Sequence, residues 1–133
     1  MKKNIFYLIV GLLSILFTFT HTWNGLKTAL PVLESAGIDG GTRVIFNYVW
    51  HVVGIENLVF GIALLIMAFN KNAEKVKFTA WVIIAVLIMR WIIITIFTVT
   101  SSEGKVIDIL PDTIAIFTVV VLLILGTRVK YKS

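Results

Sequence analysis

The sequence predicts an all-α integral membrane protein, a four-transmembrane-helix bundle with both termini cytoplasmic. Three observations predict it. First, 59% of the 133 residues are hydrophobic and only 14% are charged, where a soluble domain carries roughly 25% charged residues; the mean hydropathy is +0.99. Second, the apolar residues fall into four long runs, each close to the roughly 20 helical residues that cross a bilayer core. Third, lysine and arginine are divided unequally between the two sets of connections, as orientation in a membrane requires.

The first run, from Ile5 to Trp23, carries no charge. Its start, Lys2 and Lys3 before an apolar core, also has the form of a signal peptide. The THTWNG stretch that follows lacks a small-x-small cleavage site, and three more runs come after it, so a retained helix is the simpler reading. NGLKTAL extends this helix, to about residues 4–29, until Pro31 opposes helix at the residue before it. ESAGIDGG then reads as a turn-rich outer connection. The second run, within a helix of about 43–69, holds one acid, Glu56; the third, within about 76–100, holds one base, Arg90. The fourth, about 109–127, has Asp112 near its start and Pro111 in its first turn, where a missing N–H is harmless. These runs are rich in isoleucine and valine, but their length decides for helix, since a helix satisfies its own backbone in lipid. No soluble domain, internal repeat or low-complexity segment interrupts them, so the chain reads as a single transmembrane domain.

Lys2, Lys3, Lys71, Lys75, Lys77, Arg128, Lys130 and Lys132 share one side, against Lys27, Arg43 and Lys105 on the other. The positive-inside rule places the first group in the cytoplasm. Glu34, Asp39, Glu103, Asp108 and Asp112 fall on the outer side, so topology accounts for the net charge of +5 and no nucleic-acid partner is needed. The absence of cysteine excludes disulfides, iron–sulfur clusters and thiol catalysis.

Polar groups inside the runs are the candidate functional residues, because ionisable groups in lipid are costly and default to a functional hypothesis. At 1.5 Å per residue, Glu56 and Arg90 lie roughly 18 Å and roughly 15 Å from the outer ends of their helices. Their matching depth suggests an intramembrane ion pair. On the second helix, Arg43, Asn47, Trp50, His51, Gly54, Asn57, Leu58 and Gly61 form one broad face, and Glu56 lies about 160° away from its Gly54. The first helix presents Ser14, Phe17, Thr18, His21, Gly25 and Thr28. A ligand- or ion-binding site would draw on His21, Asn47, His51, Asn57 and Asp112, with Asn24 as a further neighbour. Interhelical hydrogen bonding is the plainer role for the same groups. His21 and His51 are the weak candidates for a divalent metal or for the axial ligands of a b-type haem, but no metal motif is present and no cofactor is predicted. Trp23, Tyr131 and Tyr7 suit membrane interfaces, Trp50, Trp81 and Trp91 suit packing, and Met67 and Met89 suit the core.

The stretches HTWNGLKTALPVL and RVIFNYVWHVVGIENLVFGIALLIMAF resemble a family of small bacterial four-span proteins. Its members carry a histidine near the end of the first helix, a Pro-Leu-like element after it, and an arginine followed by Trp-His in the second helix. Here His21, Pro31, Arg43, Trp50 and His51 match, over about 45 residues. The resemblance implies a multi-pass protein of the bacterial inner membrane and a role for the Trp50–His51 pair, but no reaction. GTRVIFN is only superficially similar to fluoride channels, which need a Phe/Thr/Ser signature absent from the third run. Small multidrug transporters need an acid in the first helix, which this chain lacks.

No nucleophile–base pair, phosphate loop or zinc motif is visible, which argues against an enzyme. The sequence favours an accessory or assembly protein whose buried polar residues fix helix packing and partner contact, as a homo-oligomer or in a larger membrane complex. The alternative is a small transporter, channel or ligand-binding protein that uses an outward-facing His21/His51 cavity and the Glu56–Arg90 pair.

Overall fold

The computed structural model describes residues 3–70 and 72–129. Lys2, Lys71, Lys130, Tyr131 and Lys132, used above to orient the chain or mark an interface, lie outside the described residues. The described chain is helical: α1 (Ile5–Asn24), a π-helical segment (Gly25–Ala29), α2 (Leu30–Ser35), α3 (Gly40–Phe69), α4 (Ala73–Thr100), a 3₁₀ turn (Val106–Ile109) and α5 (Leu110–Thr127). Four continuous helical stretches, Ile5–Ser35, Gly40–Phe69, Glu74–Thr100 and Val106–Thr127, are long and apolar enough to cross a membrane.

The helix ends differ from the sequence reading for local reasons. Pro31 does not end the first helix, which continues to Ser35. The π segment widens the turn just before it, and Pro31 then falls in the first turn of α2, where its absent N–H is tolerated. The helix stops instead at Gly37, whose φ of +68° is the left-handed stop that glycine adopts without strain. α3 starts at Gly40, three residues before the expected start, because Asp39 caps it: its carboxylate accepts the Thr42 N–H at 3.0 Å and the Thr42 hydroxyl. α4 starts at Ala73 behind Asn72, whose side chain accepts the Lys75 N–H at 3.2 Å. Pro111 sits in the first turn of α5, as its chemistry demands.

The described chain divides into two compact units. The first comprises the described residues of Met1–Val10 and Ile66–Ser133. Its core is Ile83, Ile84 and Leu87 of α4 with Ile116, Val119, Val120 and Leu123 of α5. Trp91 joins the two helices, donating its indole N–H to the Thr113 hydroxyl at 2.9 Å and meeting Phe117 edge-on at 5.2 Å. The N-terminus is fastened to the same unit by Asn4, which is 1% exposed. Its amide N–H donates to the Ala68 carbonyl and its side-chain amide to the Gly126 carbonyl, both at 2.8 Å. Tyr7 is also 1% exposed. It is a buried residue rather than an interfacial one, because Gly126 leaves room for its ring. Trp81 and Met89 are corrections in the other direction. Both are more than half exposed, on the outward face of α4.

The second unit, residues 11–65, contains the rest of the first helical stretch and most of α3. Here the two helices touch through glycines. A methyl group on Gly61 would lie 2.9 Å from the Gly11 carbonyl and 2.7 Å from the Ile15 side chain, so only hydrogen fits there. Small residues that bring backbones this close are the usual means of helix association where water supplies no hydrophobic force.

Candidate functional site

Above the Gly11–Gly61 contact, the polar stripes of the second unit meet. Thr18 shares its one hydroxyl proton between the Ser14 carbonyl of its own helix, at 3.1 Å, and the Gly54 carbonyl of α3, at 3.2 Å. One turn further on, His21 and Trp50 form a reciprocal clasp. The rings stack with centroids 4.5 Å apart and planes within 10° of parallel. His21 Nε2 lies 3.0 Å from the Trp50 carbonyl oxygen, and the Trp50 indole N–H donates to the His21 carbonyl at 3.0 Å. A carbonyl can only accept, so Nε2 carries the hydrogen and Nδ1 is left as the acceptor when the ring is neutral. The clasp needs Gly25: a methyl group there would lie 2.1 Å from the indole nitrogen.

His21 therefore faces Trp50. His51, the next residue of α3, is half-buried and turns into a different hollow, an open groove of about 500 Å³ lined by Val44, Asn47, Tyr48, His51, Val52 and Ile55. These residues recur every three or four positions, so the groove runs along one face of α3. Asn57 lies on α3 beyond Gly54 and is half-buried; Asp112 is exposed in the first turn of α5, in the other unit. Glu56 and Arg90 are half-buried, in the second and first units respectively. Among the described residues, no three histidine, aspartate or glutamate side chains come together to hold a metal ion. His21 Nε2 is engaged by the Trp50 carbonyl, so metal ligation through that atom competes with the clasp.

A second hollow, of about 400 Å³, opens where α2 and the start of α3 converge. Leu26, Leu30, Pro31, Leu33 and Val44 supply its apolar walls, Asn47 its inner polar group, and Glu34 and Arg43 its rim. The rim charges stand 3.7 Å apart at their nearest atoms and both side chains are exposed, Glu34 by 76% and Arg43 by 44%. Glu34 enters the sequence argument only through its charge. The signal was present: two opposite charges flank a connection short enough to bring them together. Asp39, at the turn between them, is held below its usual pKa of 3.8, first by the Thr42 hydroxyl and then by the Thr42 N–H. On the other flank, the Lys27 ammonium sits 5.3 Å above the exposed Trp23 ring.

The chain matches no family model, no curated protein and no solved structure.

Proposed function

We propose that the protein is a small accessory or assembly protein of the bacterial inner membrane, inserted with both termini cytoplasmic, whose polar residues fix helix packing and meet a partner. Its outward surface supports insertion: Phe78, Phe97, Phe19 and Trp23 are each about 70% exposed, which water would oppose and lipid tolerates. The observation that carries the partner role is the uneven fate of the polar groups in the second unit. Thr18 and His21 spend their hydrogen bonds inside the unit, on Gly54 and Trp50. Asn47, three residues before Trp50 on α3, is exposed, and His51 lines the same open groove. Lipid tails cannot satisfy a carboxamide or an imidazole, so a partner helix with its own polar group is the natural cover.

A photoreactive benzophenone amino acid at Val52, on the groove, is expected to cross-link to another protein when native membranes are illuminated, and one at Phe97, 72% exposed in the other unit, is not. Equal yields at both positions, or none at Val52, would sink the partner role. Orientation has its own test. The chain has no cysteine, so single cysteines report cleanly. Ser102→Cys should react with an impermeant maleimide in intact cells, and Asn72→Cys only after lysis. The pairing of Glu56 with Arg90 rests on their depth in the sequence. It fails if Glu56→Gln and Arg90→Gln each leave thermal stability unchanged.

The groove also favours a second reading, a small transporter or channel with His51 in the path. Proteoliposome flux that is lost in His51→Ala would support it; flux unaltered by that change would remove His51 from the mechanism. A Soret band or bound divalent metal in the purified protein would overturn both readings, and a centre using both histidines would require the His21–Trp50 clasp to open.

A further inference from the structure

The cleft between α2 and α3 has the composition of an amphiphile site, and its position can be fixed from helix length. α3 has 30 residues, a length of about 45 Å, against a hydrocarbon core of about 30 Å. Some 15 Å must project, or about five residues at each end if the helix is centred. Arg43, three residues from the start of α3, and Glu34, in the last turn of α2, then lie at headgroup depth. Asn47, one turn deeper, lies at the edge of the hydrocarbon. The leucines of the cleft face the acyl region beside it.

The rim is a dipole rather than a net charge. Arg43 and Glu34 approach to 3.7 Å, longer than the roughly 2.8 Å of a charge-assisted hydrogen bond. Both side chains therefore keep hydrogen-bonding capacity. A guanidinium offers a planar fork to phosphate. A carboxylate beside it repels a second negative charge but accepts hydrogen bonds from a primary ammonium. A volume of about 400 Å³ is within the range of small-molecule sites. It suits a headgroup with the first part of one acyl chain.

We propose that this cleft binds a phospholipid with a zwitterionic amine headgroup, of the phosphoethanolamine class, with its phosphate on Arg43, its ammonium on Glu34 and a chain along Leu26, Leu30 and Leu33. The site rests on the membrane reading above, and it shares Val44 and Asn47 with the α3 groove, so its headgroup contacts are placed on Arg43 and Glu34, which the groove does not include. Glu34 sets the selectivity. A choline headgroup carries no N–H to donate, and a glycerol headgroup leaves the carboxylate facing a net negative lipid.

The test uses the full chain in detergent, titrated with phosphatidylethanolamine, phosphatidylcholine or phosphatidylglycerol of identical chains, with lipid retention read by native mass spectrometry. Retention of the ethanolamine lipid is expected to exceed that of the other two by roughly threefold to tenfold, the scale of one charge-assisted hydrogen bond at an exposed rim. Glu34→Gln should bring the ethanolamine lipid down to the choline lipid, and Arg43→Gln should lower all three. Should Arg43→Gln fail to fold, the wild-type ratio still decides. Equal retention of all three lipids by the wild type would overturn the proposal, and so would free phosphoethanolamine displacing the lipid at equal concentration. Alkaline extraction of membranes separates the two failures. A chain that stays in the pellet and shows no headgroup preference loses only this site, whereas a chain released by carbonate loses the membrane reading as well.

Discussion

Each unit seats one aromatic ring on one glycine, and the two seats differ in how tightly they are closed. In the first, Tyr7 lies on Gly126, where a methyl group would come 2.4 Å from the ring. Tyr7 and Asn4 are each 1% exposed and Thr127 8%. The side-chain amide of Asn4 ends on the Gly126 carbonyl, and the Thr127 hydroxyl on the Ile124 carbonyl. In the second, Trp50 lies on Gly25, where the same methyl would come 2.1 Å from the indole. His21 and Trp50 are only half-buried, and exposed Asn47 lies one turn away on α3. The same device thus serves two purposes. A sealed seat holds an end of the fold together. An open one leaves polar groups facing outward beside it, and both candidate sites, the α3 groove and the rim cleft, lie at that open end.

The sharpest way to break this comparison is to add the methyl in both places. Distance alone predicts that Gly25→Ala is the worse change. Burial predicts the reverse. Tyr7 has nowhere to move, so Gly126→Ala must displace backbone or ring and should cost about 3 kcal/mol, near the upper end for an overpacked core. The half-exposed Trp50 ring can swing outward, so Gly25→Ala should cost about 1–2 kcal/mol and break the clasp. Apparent unfolding temperatures in one detergent would rank them. If Gly25→Ala proves the more damaging, the second seat is as rigid as the first.

A smaller effect tests the clasp itself. Trp50→Phe keeps a ring against the imidazole but removes the N–H given to the His21 carbonyl, a loss of about 1 kcal/mol for a partly exposed hydrogen bond. His21→Ala removes the stack and the bond to the Trp50 carbonyl together. Trp50→Ala removes the ring altogether, so the double variant Trp50→Ala/His21→Ala should be less destabilised than the sum of its two singles, by about 1 kcal/mol. Strict additivity would mean that the stack at 4.5 Å contributes nothing.

These contrasts also show what was legible in the sequence. The four spans were, because uninterrupted apolar runs of membrane length have few other folds. The stripe of Thr18, His21 and Gly25 on one helix and that of Trp50 and Gly54 on the next were legible too, since helical period alone puts the members of each on one side. What each histidine meets was not, because the stack on Trp50 depends on the room left at Gly25, and a glycine in a helix looks the same in sequence whatever packs against it. Asn4 was invisible for a different reason: its partner Gly126 lies 122 residues away, and an isolated asparagine before an apolar run looks like any chain end. The early starts of α3 and α4 trace to single caps, Asp39 and Asn72, which a hydropathy reading passes over as loop.

The cap at Asp39 gives the smallest effect and the one with a definite pH signature. Its folded pKa is lowered beneath the ordinary 3.8 by the Thr42 hydroxyl and N–H. In the folded chain it therefore binds a proton less readily than in the unfolded chain, and its contribution to stability is complete above that ordinary value. As pH falls through 3.8 and on through the lowered folded value, the unfolded chain takes up the proton first and the contribution is lost. The difference in stability between wild type and Asp39→Asn should accordingly shrink towards pH 3 and stay constant between about pH 5 and pH 7. Asparagine is the informative replacement because it can still accept the Thr42 N–H as an N-cap, so the pH-dependent part isolates the charge. Since the carboxylate is fully exposed, a difference that instead grows as acid is added would mean that the Thr42 hydroxyl does not hold the ionised form. The start of α3, and with it the placement of Arg43 at the rim, would then depend on the backbone turn alone.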